Sequence, residues 1–403
     1  MATEEPVSLT GKPEPKKVPN AEKTHIEESA DGVTITGAKF NTNEPTQSDW
    51  SKVFERFNLD PEKFELVGDS VRMSSWDQSS RQGGDRDLVQ LYSFRANFRR
   101  RAARPISGAE VEERRERLRS FTLPARPPRS GGEDVAAVIN LADIQGGKSE
   151  GGGVAATTQR LTDGLTNVQA WLERCRTHYN ITEVVIVNNG DPVEGCAGNY
   201  DQQMFTVELN LRQQMNFILD AWTTYARELF PRFEKAQFIS VLCNHGELGR
   251  HGGKKNRTDD SDNLGGFLAE SLKRVLDGAG GFDHVEWTIP EDEMNVYANV
   301  AGVPMAFNHG HKIPGSDASG FEKWLNGQVR GDRDAWEARI WQTAHRHHFQ
   351  AWDLGSCSVF QSPSLDGGSK WLRDSTGKFS NSGIIAYLVG THSKLGWSDL
   401  AFL

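Results

Sequence analysis

Five short stretches of this chain place oxygen and imidazole donors where they could do chemistry. They are Asp143-Ile144-Gln145, Asn189-Gly190-Asp191-Pro192-Val193-Glu194, Cys243-Asn244-His245-Gly246-Glu247, Asn308-His309-Gly310-His311 and Ala344-His345-Arg346-His347-His348. Each follows an apolar run that reads as a buried strand. Ligand sites in open α/β sheets lie outside the carboxyl ends of strands. A single Asp in such a place is ordinarily a turn or cap residue, and a lone His is more often structural than catalytic. Five successive strand ends of this kind are hard to explain that way. Carboxylate, amide and imidazole donors select hard or borderline divalent ions: Mn²⁺ first, with Fe, Zn²⁺ or Mg²⁺ as alternatives. The four cysteines, Cys175, Cys196, Cys243 and Cys357, form no CxxC pair, so neither a thiolate zinc site nor a disulfide framework is indicated.

The series resembles the calcineurin-like metallophosphoesterases, whose motifs run DxH, GDxx(D/E), GNH(D/E), HG and GHxH. The stretches that carry the resemblance are Asp143-Ile144-Gln145, Gly190-Asp191-Pro192-Val193-Glu194, Cys243-Asn244-His245-Gly246-Glu247, His309-Gly310 and Ala344-His345-Arg346-His347, in that order. It covers about residues 134–403 and does not reach the N-terminal third. By this resemblance Asp191 would bridge two divalent metal ions, with Asp143 and His347 on the first and Asn244, His309 and His345 on the second. His245 would be the catalytic histidine, acting on the phosphate or the leaving oxygen. Two cations ~3.5–4 Å apart clamp the attacking and leaving oxygens and lower the pKa of a bridging water. The family's fold, a four-layer αββα sandwich, is expected with it. Gln145 stands where the family has His, which gives the first metal a weaker amide ligand or an open position. Cys243 and Ala344 replace glycines of two motifs. His311 and His348 are additional imidazoles, read as supporting the ligands or facing the substrate.

Two loops add candidate phosphate contacts. Gln145-Gly146-Gly147-Lys148-Ser149-Glu150-Gly151-Gly152-Gly153 lacks P-loop spacing, but its backbone amides and Lys148 could meet a phosphate. Gly249-Arg250-His251-Gly252-Gly253-Lys254-Lys255-Asn256-Arg257 is basic and closely follows His245, so Arg250 and His251 are candidate substrate contacts, as is Arg346.

The elements that must position these residues follow from the pattern. Val135 onward alternates apolar strands (136–142, 184–187, 238–242) with helical periodicity (156–179, 207–230, 264–276), the signature of a layered α/β sheet. The texture then turns to β at 285–289, 296–300, 304–307, 340–344, 349–353 and 384–389, with a last strand at 400–403. Upstream, residues 1–45 read as a disordered tail in which only Gly32 to Gly37 could form a strand. Residues 46–94 read as a small α+β module: a helix capped by Ser48 that carries Trp50, Val53, Phe54 and Phe57, then strands at 64–67, 70–73 and 88–94. Residues 95–133 read as an Arg-rich helical linker. Between 95 and 129 it holds eleven Arg and four Glu, 11 − 4 giving a local charge of +7.

Length and composition bound the rest. The chain has 403 residues with a formal net charge of −9, so bulk electrostatic binding of nucleic acid is disfavoured and any such contact must be local. No apolar run approaches the ~18 residues of a membrane span, and the N-terminus has no apolar h-region. The expected location is cytoplasmic. The order of tail, module and phosphoesterase domain resembles bacteriophage proteins, which would make that a bacterial host's cytoplasm. The function expected is metal-dependent phosphodiester hydrolysis on DNA. The alternatives are a phosphatase or small-molecule phosphodiesterase acting on nucleotides or phosphoproteins, or a binding module whose catalysis is weakened at Gln145. Oligomeric state is not legible.

Overall fold

Hydrophobic runs with both faces covered become central parallel strands, and the run after Glu133 does so. The computed structural model describes residues 24–28, 32–40, 42–82, 85–100, 109, 112–113, 115–116, 120, 122–129, 131–201, 203–250, 256–368, 377 and 379–403. The chain divides into two compact units, residues 1–102 and 103–403.

In the first unit, strands β1 (His25–Glu28), β2 (Gly32–Phe40), β3 (Phe64–Leu66), β4 (Arg72–Gln82) and β5 (Asp85–Arg100) form one antiparallel sheet. Helix α1 (Gln47–Arg56) buries Trp50 and Phe54 against Val33, Ile35, Phe94 and Phe98. Four sequence expectations change here. Residues 25–28, read within the disordered tail, form a strand, and the short strand expected at 32–37 runs on to Phe40; Val33, Ile35 and Ala38 give it a buried face. The helix begins at Thr46, not Ser48, because Asp49 accepts hydrogen bonds from the Thr46 N–H and hydroxyl. The arginines at 95, 99 and 100 lie on β5, whose pairing with β2 continues past residue 94, rather than on a linker helix. Phe57, expected on the buried face of the helix, is 38% exposed.

The second unit is mixed α/β. A six-stranded sheet runs in the order β16 (Trp397–Phe402), β15 (Ile385–Val389), β6 (Asp134–Leu141), β7 (Asn180–Asn188), β8 (Lys235–Ser240) and β9 (Val285–Thr288). Strands β6 to β9 are parallel, while β15 and β16 close one side antiparallel. A five-stranded sheet runs β10 (Val296–Val300), β11 (Val303–Phe307), β12 (Ile340–Thr343), β14 (Ser358–Gln361) and β13 (Gln350–Asp353), with β11, β12 and β14 parallel. Strand β14 was not anticipated, because only Val359 and Phe360 are apolar between buried Ser358 and Gln361.

One face of the larger sheet (Val138, Val187, Ile239, Tyr387) packs with residues of the smaller one (Met305, Phe307, Ile340, Phe360). The other face of the larger sheet buries Ile139 and Ile186 beneath α2 (Gly153–Cys175), α3 (Leu211–Leu229) and α4 (Leu264–Ala279). In α2 the buried positions Thr157, Leu161, Gly164, Val168, Trp171 and Cys175 recur every three or four residues, the period of a single helical face. Truncating Ile139 to Ala in this core would cost about 2–5 kcal/mol. The smaller sheet buries Ala306, Trp341 and Val359 against Phe321 and Leu325 of α5 (Ala318–Gln328) and Ala335 of α6 (Arg333–Glu337). Among the described residues no helix is long and apolar enough to cross a membrane.

Candidate metal centre

The parallel strands of both sheets end on the same residues that drew notice in the sequence. Asp143 follows β6, Asp191 follows β7, and Asn244 and His245 follow β8; His309 follows β11, and His345 and His347 follow β12. Loops tie them into one constellation: the Asp143 N–H donates to the Gly190 carbonyl, and the Gln145 N–H to the Asp191 carbonyl. Asp143, Gln145, Asp191, His345 and His347 all have φ between 44° and 70°. Such backbone costs on the order of 1–3 kcal/mol per residue and persists where the surroundings over-determine it, commonly at functional sites.

Three side chains converge most tightly. Asp191, His309 and His345 bring one ligand atom each to within 4.8 Å of one another, and among the described residues no other group of three His, Cys, Asp or Glu does so. The Nδ1 atom of His309 lies 2.9 Å from the Asn189 carbonyl oxygen. That assigns Nδ1–H as donor and leaves Nε2 facing Asp191 Oδ2 at 2.9 Å and Asn244 Oδ1 at 3.2 Å. The backbone N–H of His245 donates to Asp191 Oδ1 at 2.9 Å. Asp191 Oδ2 and His345 Nδ1 are buried with no hydrogen-bond partner. Unsatisfied buried acceptors converging from separate strands fit a divalent cation, which would satisfy all of them at once.

The electrostatics agree. Burial alone would raise the Asp191 carboxyl, but the charges of His309 and then His245 outweigh it and hold the group well below the usual carboxylate range. Burial pushes His345 down to about 2, helped by the charge of His309. His311 is pushed down to about 3 in the same way, and neither of its ring nitrogens has a partner. Its ring centroid lies 5.5 Å from that of His309 and 6.2 Å from that of His345, so His311 joins the cluster. Both rings are therefore neutral at neutral pH, the form in which imidazole binds a metal.

His245 sits at the rim, its side chain 12% exposed. Its Nδ1 meets the Glu194 carbonyl at 2.7 Å, with Glu194 Oε2 at 3.6 Å. Nδ1 is thereby the donor nitrogen, and Nε2 is the acceptor of the neutral ring. Glu194 is itself held by the Tyr200 hydroxyl, which donates to Oε1 at 2.6 Å.

No family model and no curated protein sequence matches the chain. Among solved structures it is similar to a hypothetical protein of Pyrococcus horikoshii at 12% identity and a TM-score of 0.34, over 66% of this chain and 88% of that one. An archaeal phosphodiesterase is similar at 10% identity and a TM-score of 0.30, over 66% and 99%. Vps29 from Entamoeba histolytica complexed with Zn²⁺ is similar at 11% identity and a TM-score of 0.26, over 66% and 98%.

The Asp143 side of the centre is built differently. His347 Nε2 lies 3.2 Å from Asp143 Oδ1, and His347 Nδ1 lies 3.4 Å from Asp366 Oδ2. Burial would lower His347, but Asp143 and then Asp366 raise it well above the ordinary histidine value. Lys148, expected to meet a phosphate, is engaged inside the protein: its side chain is 7% exposed, and its ammonium donates to Asp366 Oδ2 at 2.5 Å and to Gln145 Oε1 at 2.9 Å. Asp366, which the sequence reading missed, also accepts from the Ser364 hydroxyl and the Gly368 N–H. Its one signal was a carboxylate followed by Gly367-Gly368 after a short polar strand.

The remaining described candidates are each held by partners of their own. Arg346 donates to the Ile313 carbonyl at 2.8 Å, and burial lowers its pKa. His348 Nδ1 meets the Arg346 carbonyl at 2.7 Å, and the ring accepts from Gln350 through Nε2. Arg250 pairs with Glu247 at 2.6 Å. His251, like Lys254 and Lys255, lies outside the described residues.

Proposed function

We propose that this protein is a metal-dependent phosphoesterase that hydrolyses phosphodiester bonds, with DNA as its substrate. The observation that carries the reading is the convergence of Asp191, His309 and His345 from three strand ends within 4.8 Å. Asn244 completes this donor set. A divalent ion held there supplies a Lewis acid for a phosphoryl oxygen and lowers the pKa of its water. The donors suit Mn²⁺, with Fe, Zn²⁺ or Mg²⁺ as alternatives. His245 stands beside this set, oriented by its Nδ1–H on the Glu194 carbonyl, so that Nε2 accepts a proton when the ring is neutral and donates one to a phosphoryl or leaving oxygen when the ring is protonated.

The packing of two sheets against each other, with helices on their outer faces, is read as the four-layer αββα sandwich of the calcineurin-like metallophosphoesterases. The sequence between Arg95 and Arg129 carries a local charge of +7 against a net charge of −9, which favours a polyanionic substrate over a small phosphate ester. A cytoplasmic enzyme acting without a membrane is the setting this reading implies.

The test is hydrolysis of single-stranded and duplex DNA with Mn²⁺, comparing the wild type with Asp191→Asn over a range of salt. Cleavage that depends on Asp191 and weakens steeply with salt is expected. Equal activity in both proteins overturns the reading. Turnover of aryl phosphate esters with none of DNA moves it to a phosphatase or small-molecule phosphodiesterase.

A further inference from the structure

The resemblance implies two divalent ions, and the residues on the Asp143 side do not fit the first of them. Gln145 occupies the position from which a histidine would bind it. An amide can ligate only through its oxygen, and which way Gln145 turns is settled by its neighbour. Lys148 carries an ammonium, which has donors and no acceptor. With Nζ 2.9 Å from the Gln145 amide, the oxygen must face Lys148. The Gln145 NH₂ group then faces His347, with Nε2 to Nε2 at 3.3 Å. That group has hydrogens to give and no lone pair for a cation.

Lys148 is fixed in this role. Burial alone would lower its pKa, yet Asp366 and Glu194 raise it, so the charge persists inside the protein. Its partner Asp366 is fully buried and is anchored by Ser364 and Gly368. The ammonium, ion-paired with Asp366, thus holds the Gln145 oxygen turned toward itself and away from a second ion. On the other side of the centre the three-ligand cluster of Asp191, His309 and His345 is complete.

We propose that this centre holds a single divalent ion, at Asp191, Asn244, His309 and His345, and that the Lys148–Gln145 pair takes the place of the first ion. Gln145 presents an N–H donor, polarised by the Lys148 charge behind it, where the two-metal arrangement would present a Lewis acid. This rests on the metal-dependent reading above.

The experiment loads the full-length chain with Mn²⁺, removes unbound ion, and measures Mn per chain by mass spectrometry together with the electron paramagnetic resonance spectrum. One Mn per chain with an uncoupled six-line signal is expected. Two Mn per chain with an exchange-coupled signal overturns the proposal while leaving metal dependence intact. No bound Mn overturns the metal-dependent reading, and the proposal with it. A second protein, Gln145→His combined with Lys148→Met, supplies the missing imidazole and removes the ammonium. The expected change is from one Mn to two, with coupling appearing. A count that stays at one in a folded variant that binds its first Mn as the wild type does shows that Lys148 and Gln145 do not control the count, and that overturns the assignment.

Discussion

The Nε2 atom of His309 stands 2.9 Å from Oδ2 of Asp191, yet that oxygen has no hydrogen-bond partner. Both residues are fully buried, and each is held from behind, His309 by the Asn189 carbonyl and Asp191 by the His245 N–H. The fold thus holds an imidazole nitrogen against a carboxylate oxygen, a pair that a shared cation joins, a proton in the metal-free protein and a divalent ion in the loaded one. His309→Ala removes one donor and leaves Asp191 exposed to an empty space. The expected outcome is a loss of Mn²⁺ affinity of at least about 100-fold, since even removing a ligand's outer partner typically costs 10–100-fold. Calorimetric titration with Mn²⁺ checks this, and an unchanged affinity would place the ion elsewhere.

Gly190 is what lets His309 approach. Its φ is +98°, and a Cβ built there would lie 2.2 Å from His309 Nδ1. Gly190→Ala therefore forces the imidazole off the Asn189 carbonyl as well as straining the turn. A stability loss of about 1–3 kcal/mol is expected from the backbone alone, with Mn²⁺ affinity reduced about 10–100-fold. Chemical denaturation and titration on the same preparation separate the two. Full affinity in a destabilised variant would show that the ring orientation does not matter.

The strand ends carrying Asp143, Asp191, Asn244, His309 and His345 were legible because each signal is local: an apolar run followed by polar residues. Convergence was expected only from the family resemblance, since it depends on two sheets meeting and on which strands run parallel, and no local signal shows either. Asp366 escaped because β14 has only Val359 and Phe360 as apolar residues, and it becomes a strand by pairing with β12 and β13. Gln145 was read from its type alone, and its orientation is decided by Lys148, three residues on and otherwise read as a loop contact. In the N-terminal unit, β1 and β2 lie in a stretch too polar to read as a core, and their stability comes from pairing with one another and with β5.

Asp366 holds both Lys148 and His347, so its charge matters to the fold before any chemistry. Removing one partner of a buried ion pair leaves the other charge uncompensated and costs about 3–5 kcal/mol. Asp366→Asn should destabilise the protein by about that much, measured by denaturant unfolding. Adding Lys148→Met removes the stranded ammonium, so the double variant should regain part of the loss. A double-mutant cycle with no coupling between the two positions would show that their 2.5 Å contact contributes nothing.

Stability of the metal-free protein should fall as pH drops below about 6.5, the ordinary histidine value. His311 is pushed down to about 3 in the folded chain, chiefly by burial and then by the charge of His309. Between these values the unfolded chain binds a proton that the folded chain refuses. Stability therefore rises with pH across that window, by up to about 1.4 kcal/mol per pH unit for one such group. His345, pushed down to about 2, acts in the same direction. His309 and His347 are raised, so they are protonated in both states through most of the window and add stability that is lost only as pH climbs past their folded values. Asp191 and Asp366, held low, lose their contribution only as pH falls below about 4. Comparing the wild type with His311→Asn cancels these other groups to first order. The variant should show a shallower loss of stability from pH 6.5 to about 4, followed by denaturant unfolding in the presence of a chelator. Parallel pH profiles would mean that His311 titrates in the folded protein much as it does in the unfolded chain.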